Sequence, residues 1–121
     1  MNSAFASRIA AGLGILAVAL GAFGAHGLKV VLTEHGSAAI WEKAVFYHFI
    51  HAVMLFVLAE RKTLPLMAWG CFLGGILLFS GSLYLLAVTG LSWFGAVTPV
   101  GGLSFLAGWV ILIWPGQKHG S

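Results

Sequence analysis

Strongly polar positions interrupt this 121-residue chain at only a few short breaks, and long apolar blocks run between them. A helix rising about 1.5 Å per residue needs about 20 mostly apolar residues to cross the hydrocarbon core. On that measure the pattern predicts four spans, at residues 8–28, 38–60, 64–88 and 95–114. The first carries no charge after Arg8, and the third carries none at all. The fourth has Pro99 near its start, where a missing N–H matters least, and Pro115 marks its end before a polar GQKHGS tail expected to be mobile. The second is the least regular. Its charge-free run from Ala44 to Ala59 is short, and full length requires reaching back to Ala38 past Glu42 and Lys43, which then lie near one interface. Ser37, after Gly36, is the expected N-cap, and the connector LKVVLTEH (28–35) reads as a short interfacial helix. The expected fold is an all-α, integral membrane four-helix bundle forming a single transmembrane domain over residues 1–121.

Composition sharpens this picture. Hydrophobic residues make up 60% and charged residues 7%, against about 25% charged in a soluble domain, so a water-facing surface cannot be built. A net charge of +3 without a basic stripe excludes nucleic acid as a partner class. Cys71 is the one cysteine, which rules out an intrachain disulfide and a zinc-ligand spacing. No cofactor is indicated by any motif. The first span has the basic residue and small residues of a secretory signal, but its apolar run is longer than a signal core and further spans follow, so it reads as retained. With four spans, Arg8, Arg61, Lys62 and Lys118 share one side. Lys29 and Lys43, offset by Glu34 and Glu42, occupy the other, which places both termini in the cytoplasm by the positive-inside rule. Trp41, Trp93 and Trp114 fall near span ends as an aromatic belt, whereas Trp69 and Trp109 lie deeper.

In lipid, helices associate through close contact more than through hydrophobic drive, so small residues mark packing faces. Ala10, Gly14, Ala17, Gly21 and Gly24 recur at steps of four and three in the first span. Gly70, Gly74 and Gly81 share a face of the third, and Gly101, Ser104 and Gly108 recur in the fourth. A dimerisation face is one reading, and packing within the bundle is the plainer one. The second span lacks glycine and carries most of the unusual polar side chains.

Those side chains are the candidate site. Tyr47, His48 and His51 lie on one side of the second span at helical spacing. Ser80, Ser82 and Tyr84 on the third, Thr98 at the start of the fourth and His26 at the end of the first fall in the same outer half of the membrane. Buried polar groups in a membrane face the bundle interior, so these residues are expected to gather there, with the His26 imidazole bonded across to the second span or the start of the fourth. Histidines can ligate a metal or haem, yet no spacing fixes a coordination sphere. A proton path lacks a relay in the inner half, and Glu42 is the one acid near the cluster, too little for paired carboxylates or a nucleophile–base pair. A hydrogen-bonded network that locks helix register needs no further assumption.

The stretches GAFGAHGL (21–28), Trp41 with Ala44, Tyr47 and His51, then FSGSLYLL (79–86), and TPVGG (98–102) with Phe105, Gly108 and Trp109 resemble the YgdD-like family of small four-helix membrane proteins. The resemblance spans nearly the whole chain. It implies a multi-pass protein of the bacterial inner membrane and singles out His26, Tyr47, His51, Ser82, Tyr84, Thr98 and Pro99, but it implies no activity. The chain is therefore read as a non-enzymatic accessory or structural membrane protein, in contact with the lipid bilayer and with another membrane protein or a second copy. The alternative is binding or transport of a small hydrophobic ligand, haem or metal at the histidine–tyrosine cluster.

Overall fold

A computed structural model describes residues 1–114; Pro115 and the GQKHGS tail, with Lys118, lie outside the described residues. Helix α1 runs Ser3–Ala25, α2 Lys29–Glu34, α3 Ala38–Ala59, α4 Leu66–Gly75, α5 Gly81–Thr89 and α6 Phe94–Ile113. A π-helical turn, Ile76–Ser80, joins α4 to α5, so that Leu66–Thr89 is one continuous span. Four helices, Ser3–Ala25, Ala38–Ala59, Leu66–Thr89 and Phe94–Ile113, are long and apolar enough to cross a membrane. The protein is an all-α integral membrane four-helix bundle.

Local chemistry sets the ends. Helix α1 begins five residues before the expected Arg8 because Asn2 caps it, its side-chain oxygen accepting from the Phe5 N–H at 2.8 Å. Gly36 (φ 60°) and Gly90 (φ 71°) take the left-handed conformation that ends the helices before them. Ser37 does not cap α3. Its hydroxyl instead donates at 2.6 Å to the Ala87 carbonyl, stitching the start of α3 to α5.

Helix α3 is the hub, packing on α1, α4, the π turn and α5, while α6 packs on α4, the π turn and α5. Helix α1 touches only α3 and α2, so the bundle is an open row with α1 at one edge. The α1 seam follows Ala10, Ala17 and Gly24, a heptad step, with Ala6 one turn earlier. Trp69, Phe72, Leu55 and Leu58 fill the centre with no meaningful exposure. Trp93 and Trp114 are exposed near span ends, but Trp41 is not part of a belt: it is 5% exposed and packs inside.

Candidate functional site

The polar residues do not gather into one site. The two buried histidines of α3 point to different neighbours. His51, 4% exposed, is held at both ring nitrogens: Nδ1 lies 2.7 Å from the Tyr47 carbonyl one turn earlier, and Nε2 accepts from the Trp109 indole N–H at 3.1 Å. A carbonyl only accepts and an indole N–H only donates, so the ring carries its single proton on Nδ1. Its flat face stacks on Phe105 with centroids 3.7 Å apart and planes 12° apart. His51 thereby ties α3 to α6, which have no close backbone approach of their own.

His48, three residues earlier, is 1% exposed and turns toward α5, where its Nδ1 meets the Tyr84 hydroxyl at 2.7 Å. Its Nε2 is buried without a hydrogen-bond partner. The remaining hydroxyls pair elsewhere. Ser80 donates to the Ala44 carbonyl on α3 at 2.8 Å, and Ser82 shares a 2.6 Å bond with Thr98 on α6. Tyr47 is 37% exposed and lies over Phe79 at the mouth of a groove between α3 and α6. His26 is exposed in the turn after α1, and its imidazole makes no hydrogen bond among the described residues. The expected bond from His26 across the bundle is thus replaced by one from Trp41, whose indole N–H donates to the Leu20 carbonyl at 2.9 Å. The reason is helix length: α1 stops at Ala25, so His26 falls beyond the packed seam. Among the described residues no three His, Cys, Asp or Glu side chains are placed to hold a metal ion.

A family model described as "Protein of unknown function (DUF423)" matches residues 20–102. The chain belongs to this family. It is 42% identical over 112 residues to the UPF0382 membrane protein YwdK of Bacillus subtilis, covering 87% of this chain and 89% of the relative. It is 41% identical over 117 residues to the UPF0382 inner membrane protein YgdD of Escherichia coli K12, covering 93% of this chain and 89% of that one. No solved structure matches it significantly.

In this DUF423 protein the small residues and the polar ones serve the same seams. A Cβ at Gly24 would fall 2.2 Å from the Trp41 indole nitrogen, so the glycine admits the ring that bonds Leu20. A Cβ at Gly101 would lie 2.2 Å from the Phe79 backbone nitrogen, at Gly108 2.6 Å from the Phe72 ring, and at Gly74 3.3 Å from the Ser104 hydroxyl. Gly21 sits in ordinary contact with Val45 at 3.4 Å. Gly14 and Gly70 have no neighbour within 4 Å, and Gly81 meets only the Ile76 carbonyl of its own span at 3.9 Å. The heptad seam of α1 bypasses Gly14. The α4–α6 seam runs through Cys71, Phe72 and Gly74 instead of Gly70. The π turn holds more than four residues per turn, which rotates everything after it by roughly a quarter turn and carries Gly81 off the Gly74 face.

Sequence reasoning missed two features. Gly75 is a tight position, where a Cβ would fall 2.2 Å from the Phe105 ring. Polar bonds also continue through the half of the bundle nearer the chain termini: Trp69 donates to the Leu55 carbonyl at 3.1 Å and Ser104 to the Cys71 carbonyl at 2.7 Å. Their signal was available, since a tryptophan or serine inside a span needs an acceptor.

Proposed function

We propose that this chain is a non-enzymatic protein of the bacterial inner membrane that serves as a rigid accessory or structural module, with both termini in the cytoplasm. The carrying observation is the use to which its intramembrane polar groups are put. Ser37, Trp41, Trp69, Ser80 and Ser104 each donate to a backbone carbonyl of another helix, while His48–Tyr84, His51–Trp109 and Ser82–Thr98 pair side chains across seams. Groups tied into helix–helix bonds hold a fixed shape. A nucleophile needs a free base beside it, and a carrier needs a path of exchangeable partners. The name of YgdD as an inner membrane protein supports the location, and the charge asymmetry between the two ends supports the orientation.

Gentle purification in nanodiscs tests the role. Another membrane protein recovered at fixed stoichiometry by native mass spectrometry is the expected result. A Soret band, stoichiometric metal or a retained hydrophobic small molecule at the His51–Tyr47 face would overturn it in favour of ligand binding. Orientation is tested separately, in a Cys71→Ser background with a membrane-impermeant maleimide. A cysteine at Glu34 or Leu91 is expected to label from the periplasm and one at Lys62 is not; the reverse pattern refutes the orientation.

A further inference from the structure

A second groove, distinct from the aromatic one between α3 and α6, opens sideways between α1 and α3 with a volume of about 510 Å³. Gly21 lies in its floor, Leu32 of α2 lines one end, and the exposed rings of Phe46 and Phe49 stand along its lip. Every lining residue but one is apolar or aromatic. The exception is Glu42, exposed, one turn into α3, and without a hydrogen bond or ion pair among the described residues. From Glu42 the groove descends to Ile50, eight residues on and therefore roughly 12 Å deeper along the helix.

We propose that this groove seats an acyl chain of a phospholipid whose headgroup ends in a primary ammonium, and that the ammonium donates to the Glu42 carboxylate. Two features select this occupant. The groove faces outward at the free edge of the bundle, where α1 has no neighbour but α2 and α3, so lipid reaches it without any rearrangement. The lone carboxylate at interfacial depth complements a cation that carries N–H donors. A choline headgroup has the charge but no N–H, and a glycerol headgroup leaves the phosphate charge facing the carboxylate.

The inference rests on membrane placement and not on the accessory role, so a missing protein partner would leave it standing. The test is native mass spectrometry of the full chain released from nanodiscs of equal phosphatidylethanolamine, phosphatidylcholine and phosphatidylglycerol. One lipid retained per chain is expected, with phosphatidylethanolamine enriched roughly 2- to 5-fold over phosphatidylcholine, the range an exposed charge pair supports. Glu42→Gln is expected to keep the lipid and lose the preference. Gly21→Leu fills the floor and is expected to lose the lipid, while Gly14→Leu, outside the groove and with nothing within 4 Å, retains it. Should Gly21→Leu fail to fold, Glu42→Gln at its exposed position still decides the headgroup claim. Equal retention of the three headgroups, no retained lipid, or a Gly21→Leu variant that retains as much as Gly14→Leu overturns the proposal. So does a dimer that only Gly21→Leu abolishes, which would assign the groove to a second copy.

Discussion

Replacing Gly101 and Gly102 by alanine, one at a time, separates close helix approach from helix propensity. Both glycines lie in α6, two and three residues past Pro99, and both substitutions gain the same intrinsic propensity, at most about 1 kcal/mol. Their surroundings differ. At Gly101 the new methyl would sit 2.2 Å from the backbone nitrogen and 2.6 Å from the Cα of Phe79 in the π turn. At Gly102 the nearest atom is a Phe79 ring carbon at 3.7 Å, an ordinary contact. Backbone cannot rotate away as a side chain can, so Gly101→Ala must separate α6 from the π turn. Overpacking of this kind costs about 1–3 kcal/mol. Parting the seam also strains the Ser82–Thr98 bond, for which interhelical hydrogen bonds in membranes average about 0.6 kcal/mol. The expected gap between the two variants is therefore about 1–3.5 kcal/mol, with Gly102→Ala at or slightly above wild type. Reversible unfolding by SDS in mixed micelles, followed by far-ultraviolet circular dichroism, reads that gap. Two variants of equal stability would refute the backbone contact at Gly101.

Three further outcomes follow from other seams. Gly24→Ala is expected to displace the Trp41 ring and cost about 1–3 kcal/mol by overpacking, less in a Trp41→Ala background, whereas Gly14→Ala is expected to be neutral or stabilising; the same SDS titration checks both. Nitrogen-15 NMR of labelled histidine is expected to show His51 singly protonated at Nδ1, and Trp109→Phe is expected to shift the Nε2 resonance; a ring protonated at Nε2 would refute the bond from Trp109. Tyr84→Phe removes the hydroxyl that bonds His48 Nδ1 and is expected to destabilise by about 0.6–1.7 kcal/mol, with no loss if the 2.7 Å contact is not a hydrogen bond.

The spans were legible in the sequence because hydrocarbon thickness fixes their length. The α3 and α6 boundaries differ by a residue from those expected, and the α2 connector is helical as the LKVVLTEH pattern predicts. The larger miss at α1 came from Asn2, a cap that lies outside any hydropathy window. Less of the candidate site was legible. Depth along a helix is linear in sequence, so Ser80, Ser82, Tyr84 and Thr98 lie at similar levels of the bundle and each bonds to another span. Direction around a helix accumulates error with every residue, and the π turn introduces a rotation that no residue in ILLFS announces.

Helical spacing itself explains why one expected cluster became several separate links, since Ser82 lies about 200° around the helix from Ser80 and Tyr84 returns to within about 40° of it. Ser80, inside the π turn, reaches α3; Ser82, two residues on, reaches α6; Tyr84 returns to α3 at His48. One span therefore serves two neighbours within five residues, where polar side chains on a single straight face would have met only one. His48 and His51 do the same on α3, dividing between α5 and α6. A cluster on one face can exchange a ligand or a proton among its members. Residues that alternate between neighbours instead fix the angular setting of each helix against two others at once, and any rotation of α3 breaks the Tyr84 or the Trp109 bond. Rigidity of the α3–α5–α6 unit is therefore the property these side chains confer, while α1, packed on α3 along Ala6, Ala10, Ala17 and Gly24 and bonded to it through Trp41, is left as the edge where lipid or a partner can approach.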